Sequence, residues 1–375
     1  MLANMVRTAE IAGAGFAGLT VAIELARRGW RVRVHEASPE LRAFGAGIFL
    51  WENGLQVLAE LGVQDRVLAT SYEATRWEER DSDNGELGSR PLPVPGGLRM
   101  ITLTRRDLLT ALVDAALESG VSITTGSRAV RADDGALCTE DGSVRDADLV
   151  VGADGIRSAV RDSLDLLAEH EVFDLGLYRF LVPLDRAPSF DGQWRCYANY
   201  WNLRSKRRVL YVPCNERELY LGLGAHASDG ALSQPLDSSV WCESFPVLRP
   251  VLSELPAAPR YDRYEVLRAR KWSSGRVAVV GDAAHAMPPS LGQGAGTAMM
   301  NALNLARSVA DHDDVVAALR DWEAENRPLT EHAQQESVAI ARNLFPVTPE
   351  RRDGWGEGAV AVARNVPKAG ESSRS

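Results

Sequence analysis

The chain is poor in the features that mark secreted, metal-binding or membrane proteins. Its 375 residues hold only 4 cysteines, Cys138, Cys196, Cys214 and Cys242, too scattered for a zinc site and too few for a disulfide framework. The 6 histidines form no His-x-x-x-His pair, so no metal site is expected. No apolar run approaches the roughly 18 residues of a membrane span, and Met1-Leu2-Ala3-Asn4-Met5 leads into an apolar strand without an export signal. Basic residues are outnumbered, with 42 Lys and Arg against 51 Asp and Glu for a formal charge of −9, which argues against nucleic acid or an anionic membrane as partner. No Ser/His/Asp or Cys/His arrangement suggests a protein nucleophile. A cytoplasmic protein, monomer or homodimer, acting on a small molecule is expected.

Glycine, by contrast, is placed with purpose. Gly13-Ala14-Gly15-Phe16-Ala17-Gly18 follows the short apolar run Ala9 to Ala12 and opens the amphipathic stretch Leu19 to Arg28. Gly13 permits a tight turn, Gly15 lets the backbone approach a pyrophosphate, and Gly18 lets helix pack closely on strand, while Phe16 and Ala17 begin a helix whose free N–H groups face the phosphates. A second strand, Arg31 to His35, ends at Glu36-Ala37, about 20 residues past the glycines, where a ribose-binding acid belongs. This unit alone does not distinguish NAD from FAD.

A later segment separates the two. Arg276 to Val280 reads as a buried parallel strand ending in Gly281-Asp282, where a carboxylate can reach a second polyol such as a ribityl chain. Pro288-Pro289 follows, then Gly292, Gln293, Gly294, Ala295 and Gly296 ahead of an apolar helix expected over Thr297 to Val309. That helix N-terminus suits the electron-rich edge of a flavin. A third glycine-marked run, Asp148 to Gly155, contains Asp154-Gly155. No second Gly-x-Gly-x-x-Gly unit with strand and helix is present, so a dedicated nicotinamide domain is not expected.

With these three motifs, the chain from about Thr8 to about Ala341 resembles the group A flavoprotein monooxygenases of the p-hydroxybenzoate hydroxylase fold. It is especially similar to the pyridine-ring oxygenases of bacterial vitamin B6 catabolism, 2-methyl-3-hydroxypyridine-5-carboxylate oxygenase and 5-pyridoxate oxygenase. The similarity is strongest in Leu41 to Leu55 and in Leu210 to Leu223. The resemblance implies an enzyme with noncovalent FAD, a visiting NADH or NADPH and dioxygen, hydroxylating a small anionic aromatic or N-heteroaromatic compound through a flavin C4a-hydroperoxide, with ring opening as a further outcome. It places Arg42, Ala46 and Gly47 beside the flavin, Arg105 of the Thr104-Arg105 pair on the pyrophosphate, and Asp154 in the cofactor segment. Substrate contacts would come from Arg208 and Tyr220, from Arg179, and from walls that include Phe49 and Pro289. No side chain need act as nucleophile.

The sequence departs from those oxygenases in being less polar. Phe49 stands where they carry tyrosine, a pocket tyrosine is missing near Ala74 to Trp77, and the loop before Gly292 reads Pro288-Pro289-Ser290-Leu291. A larger or less polar substrate is expected. A nicotinamide dehydrogenase would leave the Gly281-Asp282 segment unexplained. A flavoprotein of the same fold performing epoxidation, N-hydroxylation or non-oxygenating chemistry in secondary metabolism stays open, because one fold hosts several chemistries.

The fold class expected is α/β, a Rossmann-like FAD-binding domain of the glutathione-reductase type interleaved with a smaller β-sheet substrate domain. Residues 1–74, 99–169 and 265–345 are assigned to the first and 75–98 and 170–264 to the second. Two C-terminal helices are expected, Val315 to Asn326 and Leu329 to Arg342, separated at Pro328. Residues 346–375, rich in Pro, Gly, Arg and Ser, read as a tail.

Overall fold

The computed structural model describes residues 6–41, 46–93, 98–186, 195–253, 255–256 and 259–345. Two sheets organise the chain. The first has six strands, in the order Ser273–Ser274, Val277–Val279, Leu149–Gly152, Thr8–Ala12, Arg31–His35 and Ser122–Thr124. All of its pairings are parallel except the one between Ser273–Ser274 and Val277–Val279. In register, Ile11 lies opposite both Val34 and Val151. Such parallel strands need apolar residues on both faces, and Ile11, Val32, Val34, Val150, Val151, Val277 and Val279 are all buried. The helix Phe16–Arg27 packs against this sheet and against the helix Gly294–Asp311.

This topology gathers distant motifs at one edge. The carboxyl ends of Thr8–Ala12, Arg31–His35, Leu149–Gly152 and Val277–Val279 lie side by side, so Gly13, Glu36, Ala153 and Gly281 all emerge at the same end of the sheet. Open α/β sheets bind their ligands there.

The second sheet has seven strands, in the order Arg260–Ala269, Leu167–Pro183, Glu218–Ala225, Arg207–Pro213, Tyr197–Asn202, Arg76–Asp81 and Glu86–Pro91. Tyr197–Asn202 runs parallel to Arg76–Asp81; the other pairings are antiparallel. Alternation along the strands sends Tyr178, Phe180, Tyr211, Leu219, Leu221 and Leu223 to one face, where they pack with Trp241, Phe245 and Leu248. The opposite face carries Arg179, Arg208, Leu210 and Tyr220, which line the cavity described below. The divisions expected at 169/170 and 264/265 fall inside Leu167–Pro183 and Arg260–Ala269, two strands that pair on both sides of those points.

The C-terminal helices differ from expectation. Val315–Arg342 is one helix with Pro328 inside it. Proline removes one backbone donor, and neighbouring side chains brace the helix across it. Arg327 pairs with both Glu323 and Glu331 at 2.7 Å, and its guanidinium donates to the carbonyls of Ala269 and Arg270. The Asn326 amide donates to the Trp322 carbonyl at 2.8 Å and the Thr330 hydroxyl to the Asn326 carbonyl at 3.1 Å. Tertiary packing of this kind outweighs a local breaker.

Candidate active site

A large cavity runs from the end of the parallel sheet to the inner face of the seven-stranded sheet. Gly15, Phe16 and Ala17 line its nucleotide side, together with Arg105, Asp282, Gly294 and Ala295. Phe49, Arg179, Arg208, Leu210, Tyr220 and Pro289 line the other.

The first turn is built on missing side chains. Gly13 has φ +100°, and a Cβ there would sit 2.3 Å from the Ala153 carbonyl oxygen. A Cβ on Gly18 would meet the Gly13 carbonyl oxygen at 2.1 Å. These two glycines allow backbone to close on backbone and do not themselves line the cavity. Gly15 does line it, and a Cβ there would meet nothing within 4 Å, so the open backbone is left for a ligand. Gly13→Ala combines an unfavourable φ with overlap against immovable backbone and is expected to destabilise the protein by about 1–3 kcal/mol or more. A thermal melt together with the flavin-to-protein absorbance ratio checks this, both falling in the variant.

Glu36 ends the second strand beside this turn, its Oε2 accepting from the Ala14 N–H at 3.0 Å and its Oε1 from the Ser38 N–H at 2.8 Å. It and Ala37 are not among the residues that line the cavity. Asp154, expected in the cofactor segment, turns into its own loop. Its carboxylate accepts from the Ser158 hydroxyl and from the Val160 N–H, while Ser158 caps the helix Ala159–Ser163. Burial raises the Asp154 carboxyl above its usual range, against these hydrogen bonds. Asp154 therefore shapes the loop, while Ala153, Gly155 and Ile156 supply the surface. Arg42 lies outside the described residues.

Arg105 follows Thr104, whose hydroxyl caps the helix Arg105–Glu118 by accepting from the Asp107 N–H. Its own N–H donates to the Ala46 carbonyl at 2.9 Å, and its guanidinium lies 4.9 Å from the Phe16 ring centre. Burial, then Arg179, lowers its pKa to about 10, with Asp282 opposing; it remains a cation at neutral pH. Asp282 opens toward the cavity at the start of Asp282–His285, after Gly281 at φ +61°. Its side chain is exposed, but to the cavity, where surrounding protein desolvates the carboxyl and raises it above the usual range, against Arg105, Arg179 and Arg260. Gly294–Asp311, with 18 residues, turns its N-terminal N–H groups toward the same space through Gly294 and Ala295.

On the substrate side, Gly47 permits close approach, because a Cβ there would lie 2.6 Å from Cys214 Sγ and 2.7 Å from Tyr220 Cβ. Gly292, at φ +65°, does the same toward Phe49. The Phe49 ring meets Tyr197 edge-on at 5.7 Å and Trp77 at 6.0 Å. Arg208 Nε donates to Asn199 Oδ1 at 2.7 Å, and the guanidinium covers the Trp201 ring at 5.2 Å. Burial raises the Tyr220 hydroxyl above its usual range, against Arg179 and Arg208, so it stands protonated as a donor. Burial works to lower Arg179, yet Tyr220, Asp262, Tyr264 and Asp282 hold it above its usual range; its Nε lies 3.0 Å from Asp262 Oδ2.

Sequence reasoning missed several contributors. Leu177, Asp262, Arg260 and Met287 also line the cavity. Arg161 ties two motifs together, its Nη1 donating to the carbonyls of Ile156 and Ala283. The alternation in Tyr197-Ala198-Asn199-Tyr200-Trp201 was the signal for Asn199, but only the strand order shows which face it joins. Among the described residues no group of His, Cys, Asp and Glu is arranged to hold a metal, and no helix is long and apolar enough to cross a membrane.

An open glycine turn, a helix N-terminus, a cation and a carboxylate spaced along one cavity fit an extended dinucleotide with both phosphate and polyol groups, which is the chemistry of FAD. The FAD binding domain family matches residues 5–337, and the chain belongs to it. It is an FAD-dependent monooxygenase of the group A aromatic hydroxylase kind, as the motifs implied. The 2-heptyl-3-hydroxy-4(1H)-quinolone synthase of Mycobacteroides abscessus is 40% identical over 363 residues, covering 95% of this chain and 95% of that protein. The 3-amino-4-hydroxybenzoate 2-monooxygenase of Streptomyces cremeus is 33% identical, with 92% and 89% covered. Among solved structures, the tetrameric form of 2-methyl-3-hydroxypyridine-5-carboxylic acid oxygenase matches with a TM-score of 0.90 at 44% identity, covering 96% of this chain and 97% of that one.

Proposed function

We propose that the enzyme hydroxylates a planar N-heteroaromatic compound that carries an acidic ring oxygen and a hydrocarbon substituent, of the 2-alkyl-4-quinolone type. The observation that carries this reading is the composition of the cavity's far side. The Arg208 guanidinium and the Tyr220 phenol, with Arg179 next to them, face a wall of Phe49, Leu177, Leu210, Met287, Pro288 and Pro289. The 40% identity to a 2-heptyl-3-hydroxy-4(1H)-quinolone synthase supports it.

FAD, when bound, supplies the redox chemistry, passing electrons from a nicotinamide coenzyme to dioxygen. The chain's own residues do the rest. Gly15, Arg105, Asp282 and the N-terminus of Gly294–Asp311 hold the cofactor along the nucleotide side, with Glu36 beside the first turn. Arg208 pairs with the ring oxygen and favours its anionic form, which enriches the adjacent ring carbon in electrons. Tyr220 donates a hydrogen bond to the same oxygen or its neighbour; its hydroxyl lies over Gly222, where a Cβ would come within 3.3 Å of the phenolic oxygen. The apolar wall excludes water and orients the ring. NADH or NADPH visits without a nucleotide domain of its own, and the enzyme works as a monomer or homodimer.

A second reading, a pyridine carboxylate, draws on Arg179 as well, because two guanidiniums on one cavity face suit a substrate with two anionic oxygens. A panel of 2-alkyl-4-quinolones and pyridine carboxylic acids, scored by stimulated NAD(P)H oxidation and by a product heavier by one oxygen, separates the two. The quinolones are expected to stimulate and to be hydroxylated; stimulation by the pyridine acids alone would establish the second reading instead.

A further inference from the structure

Behind Arg208 lies a carboxylate that the chemistry above does not use. Glu79, on the strand Arg76–Asp81, is 5% exposed and gathers three N–H donors. Trp77 Nε1 donates to its Oε1 at 2.6 Å, Asn199 Nδ2 to the same oxygen at 3.2 Å, and Trp201 Nε1 to Oε2 at 2.5 Å. Arg90 Nη2 stands 3.8 Å from Oε1. Register explains the gathering: Glu79 pairs with Asn199 across one strand boundary, and Trp201 pairs with Arg208 across the next. Directly paired residues share a face.

Two groups that touch Arg208 are thus both held by Glu79. Asn199 meets the guanidinium Nε with its Oδ1 at 2.7 Å, and Trp201 meets it with its ring face. A side-chain amide can present either its oxygen or its NH2 to a neighbour, and an NH2 facing a guanidinium would set donor against donor. A carboxylate only accepts, so Glu79 takes the Asn199 NH2 and leaves the oxygen for Arg208. The same carboxylate fixes the rotation of the Trp201 indole, which Phe345 packs from another side at 6.1 Å between ring centres.

We propose that Glu79, acting through Asn199 and Trp201, is a positioning residue that sets the direction of the Arg208 guanidinium and with it the placement of the substrate ring; the proposal rests on the reading of Arg208 as the substrate anchor. Removing Glu79 altogether would strand three buried donors, so the informative changes are milder. Glu79→Gln keeps the shape but presents an NH2 where a donor already points. Asn199→Ala leaves Glu79 its two indoles and cuts the hydrogen-bonded link to Arg208, with the Trp201 ring contact retained.

The test uses the FAD-loaded enzyme with 2-heptyl-4(1H)-quinolone as probe, comparing Glu79→Gln, Asn199→Ala, Arg208→Ala and the Asn199→Ala/Arg208→Ala double variant. Both positioning variants are expected to raise KM by roughly fivefold to twentyfold, with a smaller change in the maximal rate of NAD(P)H oxidation and a larger share of electrons lost as hydrogen peroxide. The double variant is expected to be no worse than Arg208→Ala alone, because the link has nothing left to position. Asn199→Ala decides the matter even where Glu79→Gln does not fold. An unchanged KM and product yield in Asn199→Ala, beside a raised KM in Arg208→Ala, would overturn the positioning role and leave the anchor standing. Additive losses in the double variant would overturn it too. An Arg208→Ala enzyme with a normal KM would remove the anchor and the proposal together.

Discussion

Arg208→Ala is expected to keep its FAD but raise the substrate's dissociation constant by well over tenfold and divert electrons to hydrogen peroxide. The guanidinium sits on the inner sheet face, hydrogen-bonded to Asn199 and stacked on Trp201, far along the cavity from the glycine turn. Truncating one partner of a desolvated charge pair costs about 2–5 kcal/mol, whereas losing a solvated surface pair costs under about 1 kcal/mol. At about 1.4 kcal/mol per tenfold, the first range corresponds to more than a tenfold loss of affinity. A ring without its anchor drifts from the reacting position, so reduction proceeds while hydroxylation fails. Equilibrium binding of the substrate and parallel assays of hydrogen peroxide and product measure both effects. Normal affinity with normal product yield would place the anchor elsewhere.

Asp282→Ala is expected to act on the other partner, weakening FAD binding by at least tenfold. Its carboxylate opens toward the cavity at the first residue of a short helix, held there by the positive φ of Gly281. A hydrogen bond from a ligand hydroxyl to a charged acceptor contributes about 1.5–3 kcal/mol, which is tenfold or more in affinity. The alanine variant also removes the larger of the two carboxylate influences, Asp282 and Asp262, that oppose Arg179 in setting the Arg105 cation, leaving the two guanidiniums less balanced. Dialysis followed by the flavin absorbance ratio measures retention; full retention would contradict a role for Asp282 in holding the cofactor.

These two residues differ in how plainly the sequence announced them. Asp282 follows an apolar run and a glycine, and the glycine turn at Gly13 to Gly18 has its own strand, helix and acid within a few dozen residues. Such signals are local and depend on backbone chemistry that only glycine satisfies. Arg208 and Tyr220 came from resemblance, since a period-2 strand says that a residue has a face without saying what that face meets. The face is settled by strand order, which sets Glu218–Ala225 beside Leu167–Pro183 and brings Arg76–Asp81 next to Tyr197–Asn202 from far away in the chain. Glu79 and Asn199 were invisible for that reason.

Two departures from expectation have other origins. Asp154 reads as a ligand-binding acid in a glycine-marked segment, but Ser158 and Val160 stand near enough to satisfy it within its own loop. Pro328 reads as a helix boundary, yet Arg327 reaches the carbonyls of Ala269 and Arg270 and braces the helix through it. At Asp154 hydrogen bonds inside the loop took up the carboxylate, and at Pro328 tertiary contacts outweighed the local breaker.

The most direct test of the account is to supply the FAD-loaded enzyme with NADH or NADPH, 2-heptyl-4(1H)-quinolone and isotopically labelled dioxygen, and to weigh the product. The account predicts a product that gains a single oxygen atom, carrying the label from dioxygen, formed only when coenzyme is present. Coenzyme oxidation that yields only hydrogen peroxide across the quinolones and pyridine acids, or a product whose oxygen comes from water, would contradict it.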